Sequence, residues 1–134
     1  SQGPKGLARA ARWADGIWGQ LMGVPVDAIA DDVHRYRAAG RDARRDGQPY
    51  ITTSLWYSLD PDRPREVLRQ SARDYAAVFG EDVAEWMAGV QSVAGPEALA
   101  AGIEACRDAE VDELVLVPTS SALAELERTM DLVG

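Results

Sequence analysis

The chain has 134 residues, 46% of them hydrophobic, which fits one domain with a buried core and excludes a disordered segment. A net charge of −8 at pH 7 argues against nucleic acid as a partner, because binding phosphates needs an electropositive face. No apolar run approaches the roughly 20 residues of a membrane span, no signal-peptide pattern opens the chain, and a single cysteine, Cys106, forbids an intrachain disulfide, so a reducing, cytoplasmic setting is expected.

Residues 3–18 read GPKGLARAARWADGIW. Gly3 as N-cap and Pro4 at the first helical position predict a helix over about 4–13. In an α/β chain such a start follows a strand, yet only Ser1 and Gln2 precede it here. A short strand over 15–21 and a turn near Gly23 come next. The segment PVDAIADDVHRYRAAGR predicts a helix with Asp27, Asp31 and Asp32 toward its start and Arg35, Arg37 and Arg41 toward its end, a polarity that complements the helix dipole. Gly40 is its expected stop. Val26, Ile29, Ala30, Val33 and the Arg37 stem form its core stripe.

RDARRDGQ is a polar loop, and PYITTSLWYSL (49–59), rich in β-branched and aromatic residues, predicts a strand. Asp60 and Asp62 before Pro64 announce a helix with Leu68, Ala72, Tyr75, Ala76 and Phe79 on one side, ended by Gly80. A short helix, EDVAEWMAGV, carries Val83, Trp86, Met87 and Val90. A second Gly-Pro start at Gly95 opens GPEALAAGIEACRDAE, which leads into VDELVLVPT. The run from Leu114 to Val117 predicts a strand covered on both faces. The closing helix, capped by Ser120 or Ser121, should bury Leu123, Leu126, Met130 and Val133.

The predicted order, α-β-α-β-α-α-α-β-α, means three parallel strands joined by crossover helices, an α/β fold. Three strands leave two open edges, which natural sheets cover or close. The chain therefore reads as a section of a larger closed array, with a strand expected upstream of Gly3.

The ordered set GPKGLARAARWADGIW, AAGRD (38–42), SLDPDRPREVLRQSARDYAAVFG and AGPEALAAGIEACRDAEVDELVLVP resembles the luciferase-like monooxygenases and their coenzyme F420-dependent relatives. The resemblance covers essentially the whole chain. It implies a partial (β/α)8 TIM barrel, residues 1–134 being the C-terminal portion, with the helix after strand 5 and the units of strands 6, 7 and 8. Glu110 departs from the pattern, standing where the family has glycine before the last strand, so that turn is expected to differ.

A barrel of this kind works from the loops at the C-terminal ends of its strands. Four lie here: the start of the chain through Gly6, residues 21–24, residues 59–62 and residues 118–121. At the first, Gly3 permits close backbone approach, and the free N–H groups of Lys5 and Gly6 point out of the first helical turn. The resemblance implies that Gln2, Gly3, Pro4, Lys5 and Gly6 hold the phosphate of FMN or F420, with Lys5 as counter-charge. No catalytic residue and no metal ligand emerges. His34 sits on a solvated acidic helix, and Cys106 reads as a buried structural thiol. Trp13, Trp18, Trp56 and Trp86 read as core, and RDARRDG as a solvated loop.

The implied activity is that of a flavin- or F420-dependent oxidoreductase or monooxygenase, with this chain inactive alone. Its expected partners are the missing half of the barrel or a second copy of itself. The competing reading is a self-contained α/β module that binds or assembles without catalysis.

Overall fold

A computed structural model describes residues 3–18, 26–44 and 46–134. The elements are α1 (Pro4–Ala10), β1 (Gly16–Trp18), α2 (Ile29–Asp42), β2 (Tyr50–Tyr57), α3 (Pro64–Ala76), α4 (Glu81–Val90), α5 (Pro96–Asp108), β3 (Glu113–Pro118) and α6 (Leu123–Val133). The predicted order holds throughout. The three strands form one parallel sheet in the order β1-β2-β3, with Gly16 opposite Tyr50 and Thr52 opposite Glu113. The remainder of the predicted first strand and the turn near Gly23 lie outside the described residues.

Alternation along β2 sorts the two faces of the sheet. Ile51, Leu55 and Tyr57 share one buried cluster with Leu7 of α1, Ile29, Val33 and Tyr36 of α2, and Leu99 and Cys106 of α5. Ile17, Leu114 and Leu116 extend it from the neighbouring strands. Burying a Leu or Ile side chain in such a cluster stabilises by about 2 kcal/mol. The opposite face carries Trp18, Tyr50, Thr52, Ser54, Trp56, Val115 and Val117, as the register requires.

Asp112 fixes β3 against β2: its Oδ2 accepts the Ile51 N–H at 2.8 Å, and its own N–H donates to Ile51 O at 3.0 Å. Glu110, just before, takes φ +57°, the left-handed region where a glycine is at ease. The turn is thus the kind a glycine would make, and Glu110 adds a bond that glycine lacks. Arg37 Nη1 donates to Glu110 Oε2 and Nη2 to Glu110 O, both at 2.7 Å, tying the turn to α2.

Several expectations change. Gly40 does not end α2, which runs to Asp42; it is buried against Pro49, 3.2 Å from where a Cβ would stand. Tyr36 joins the α2 core stripe, and Ala30 is exposed. Trp13, Trp18 and Trp86 are exposed, as are Tyr75 and Phe79. β3 is only half-buried along its apolar run.

The largest reversal is in α6. Leu123, Leu126, Met130 and Val133 are 67%, 52%, 59% and 47% exposed, while Glu125 and Thr129 are only 2% and 5% exposed. The helix turns a polar side inward because β2 and the loop after it offer partners: Tyr57 OH meets Thr129 Oγ1 at 2.7 Å, and Leu59 N–H donates to Glu125 Oε1 at 2.7 Å. Its apolar stripe is left without cover among the described residues.

Candidate functional site

Helices that follow parallel strands start at the strands' C-terminal ends, so the loops there form one rim. Gly3 caps α1 with extended backbone (φ −71°, ψ 152°) and no side-chain cap; Pro4 is at the start of the helix. A Cβ added at Gly3 would meet nothing within 4 Å, so open space surrounds the loop's backbone. The first turn of α1 holds no acid, Lys5 is exposed, and Gly6 is half-buried. Gln2, and the second rim loop at 21–24, lie outside the described residues.

The loop after β2 is the most built part of the rim. Ser58 is fully buried, bridges in parallel to Ala94, and accepts the Gly95 N–H at 2.8 Å. Gly95 makes this approach with φ +94°, a conformation that asks for glycine. Ser58 Oγ accepts the Asp60 N–H at 3.2 Å. Asp60 Oδ1 then accepts the N–H groups of Asp62 at 3.0 Å and Arg63 at 2.7 Å, which satisfies the start of α3. These two hydrogen bonds hold the Asp60 carboxyl below its ordinary pKa. An anion at this helix start would have to displace that carboxylate.

At the end of β3, Thr119 N–H donates to Tyr57 O at 3.0 Å, and Thr119 Oγ1 is buried with no partner among the described residues. Neither serine expected to cap α6 stands at the N-cap, which is Ala122; Ser120 Oγ accepts the Ala122 N–H at 3.1 Å instead.

The α3–α4 pair sits apart from the helical layer. Tyr75 of α3 packs edge-on against Trp56, with ring centroids 5.0 Å apart at 81°. Trp56 points to the sheet face opposite α1, α2 and α5, so α3 reaches the face that a closed barrel would turn inward. Val67, Gln70, Ser71 and Asp74 share a groove with Thr119 at the same end.

His34 is exposed, and no group of three or more metal-ligating side chains forms among the described residues. Burial pushes the Cys106 thiol up to about 11. Treatment of the folded chain with iodoacetamide near pH 8 is therefore expected to leave Cys106 unmodified, with labelling only in denaturant, read by intact mass. Rapid labelling of the folded chain would contradict its burial. No helix among the described residues is long and apolar enough to cross a membrane.

Sequence reading missed Glu125, Thr129 and Ser58 as organisers of the rim. Glu125 occupies the third position of α6, where an acid normally serves its own helix start; its bond to Leu59, 66 residues away, is tertiary and leaves no local signal.

No family model matches the chain, and no curated protein does. Solved structures do. An F420-dependent secondary alcohol dehydrogenase in complex with an F420–acetone adduct aligns with a TM-score of 0.69 at 16% identity, over 100% of this chain and 47% of that one. A riboflavin lyase with modified FMN and riboflavin aligns at 0.63 and 18% identity, over 99% of this chain and 40% of that one. A monooxygenase from Streptomyces bottropensis aligns at 0.59 and 22% identity, over 98% and 44%. The chain thus spans under half the length of these enzymes, and it has the fold of part of a (β/α)8 TIM barrel.

Proposed function

We propose that residues 1–134 are the C-terminal portion of a luciferase-like oxidoreductase barrel that uses FMN or F420, and that the chain is inactive without the rest. One observation carries the reading: the chain matches such barrels over its full length while covering under half of theirs, and α6 exposes the apolar stripe that a further unit would cover. The outer sides of β1 and β3 also have no strand beside them among the described residues. Open edges and an apolar helix face together favour association with the remaining half, or with a second copy where that half is missing.

Residues 2–6 are the proposed phosphate loop. Support comes from the GPKG pattern, the open space beside Gly3, the exposed Lys5 ammonium and the absence of acid in the first turn of α1. These features suit a phosphate group on electrostatic and steric grounds. The bound cofactor would supply hydride or oxygen chemistry, as redox cofactors do. This chain's own residues would anchor and orient it: backbone N–H groups and Lys5 at the phosphate, and the Ser58–Asp60 loop, held rigid by Glu125, shaping the adjacent rim.

The test is a fluorescence titration of the full-length protein containing this segment, with FMN and with F420. Binding of one of them is expected, and Lys5→Gln should weaken it about tenfold through loss of a charge-assisted contact. Binding of neither cofactor would remove the cofactor assignment; binding unaffected by Lys5→Gln would remove the phosphate loop alone.

A further inference from the structure

A second feature stands on α3, away from residues 2–6. Arg65, Arg69 and Arg73 recur at i, i+4 and i+8, which places them on one side of the helix, and Arg63 immediately precedes it. Together with Asp62 and Glu66 they line an open groove of about 490 Å³. Four of the chain's 14 cationic residues thus gather within residues 63–73 of a protein whose net charge is −8.

Their pairing is uneven. Arg63 Nη1 meets Glu66 Oε1 at 3.2 Å. Arg73 grips Glu85 from two nitrogens, Nε to Oε1 at 2.5 Å and Nη2 to Oε2 at 3.2 Å. That bond lowers the Glu85 pKa, with a smaller contribution from Arg69. Arg69 Nε itself is buried and has no hydrogen-bond partner among the described residues. Arg65 is exposed. Four guanidinium groups face two carboxylates in the groove and a third at its margin, so the set carries unmatched donors of one kind.

We propose that this groove binds an oxyanion, a phosphoryl or carboxylate group of a small molecule, through Arg65 and Arg69. A guanidinium presents parallel N–H donors in a plane that two oxygens of such a group can accept together. Arg69 Nε is buried in the groove wall, so an oxyanion would meet this guanidinium through its terminal Nη donors. The start of α3 plays no part, because Asp60 already occupies it. Arg65 and Arg69 lie outside residues 2–6, so this groove is separate from the proposed phosphate loop.

The experiment is a titration of the 134-residue chain, in chloride buffer at constant ionic strength, with pyrophosphate and separately with citrate. Chemical shifts of the arginine Nε–Hε groups are followed by two-dimensional NMR. A saturable shift of the Arg69 resonance with either ligand supports the site, and the tighter ligand identifies the oxyanion. Arg69→Gln should weaken binding about tenfold, as should Arg65→Gln, with Arg69→Lys recovering only part because it restores charge without the planar fork. The backbone amide spectrum of each variant reports that it is folded. Shifts that fail to saturate with both ligands, or an affinity unchanged in both glutamine variants, would overturn the proposal. Should either variant fail to fold, the unsubstituted chain decides through which arginine resonance saturates: Arg69 or Arg65 supports the site, Arg9 of α1 or Arg12 just after it overturns it.

Discussion

Replacing Glu125 by alanine is expected to lower the unfolding free energy of the chain by about 2–3 kcal/mol, among the larger effects available from one polar side chain. The carboxylate is 2% exposed and accepts the Leu59 N–H at 2.7 Å, and Leu59 is itself buried at 4%. Truncation leaves that backbone donor in a dry place with no acceptor, and a buried orphan donor costs about 1–3 kcal/mol. Glu125→Gln separates the contributions. Glutamine keeps an acceptor for Leu59 and gives up only the ion pair with Arg128, which is 3.3 Å long and has its cationic partner 41% exposed. A half-solvated pair of that kind is worth under about 1 kcal/mol. Urea unfolding followed by tryptophan fluorescence and by circular dichroism should therefore rank alanine well below glutamine, with hydrogen exchange at the Leu59 amide accelerated in the alanine variant. Equal stability of the two variants would mean that the bond to Leu59 does not hold α6 to the rim.

The order of elements was legible because each boundary has a local chemical cause. Gly-Pro pairs at 3–4 and 95–96 start α1 and α5, and Pro64 starts α3. The β-branched and aromatic run of β2 and the apolar run of β3 have no helical reading that competes. Gly40 shows where the local rule fails: in a helix a glycine stands either for a stop or for close packing, and proximity to Pro49 is a tertiary fact. Three of the four tryptophans mislead, Trp18 for a related reason. Large apolar residues are normally buried, and in a part of a barrel the face meant for the interior is half open, leaving Trp18 exposed although it stands on a strand. Of the rim, the glycine-proline start and the acids before α3 were visible in the sequence. The role of Asp60 as the group that closes the α3 start followed from its position, whereas the bonds of Glu125, Thr129 and Ser58 join segments far apart in the chain and have no periodicity to reveal them.

Substituting both Leu126 and Met130 by lysine should abolish self-association of the chain while leaving its unfolding free energy within about 1 kcal/mol, because neither side chain contributes to the core of one copy. They are 52% and 59% exposed, and with Leu123 and Val133 they form a row at spacings of three, four and three residues along α6. Such spacing places all four on one side of a helix. Covering a leucine and a methionine of this exposure on association recovers roughly 1 kcal/mol each, and placing two ammonium groups there both forfeits that gain and adds a desolvation penalty in any apposed surface. The combined effect on an association constant is about a hundredfold or more, since every 1.4 kcal/mol is tenfold. Light scattering after size-exclusion chromatography would show the unsubstituted chain as a dimer or larger, and the double variant as a monomer. An unsubstituted chain that runs as a stable monomer at high concentration would contradict the self-association. A double variant that stays associated would move the contact to the open edges of β1 and β3. A large loss of stability in the double variant would show instead that the stripe is packed within one copy, which is the arrangement the sequence pattern of α6 first suggests and the buried Glu125–Leu59 bond opposes.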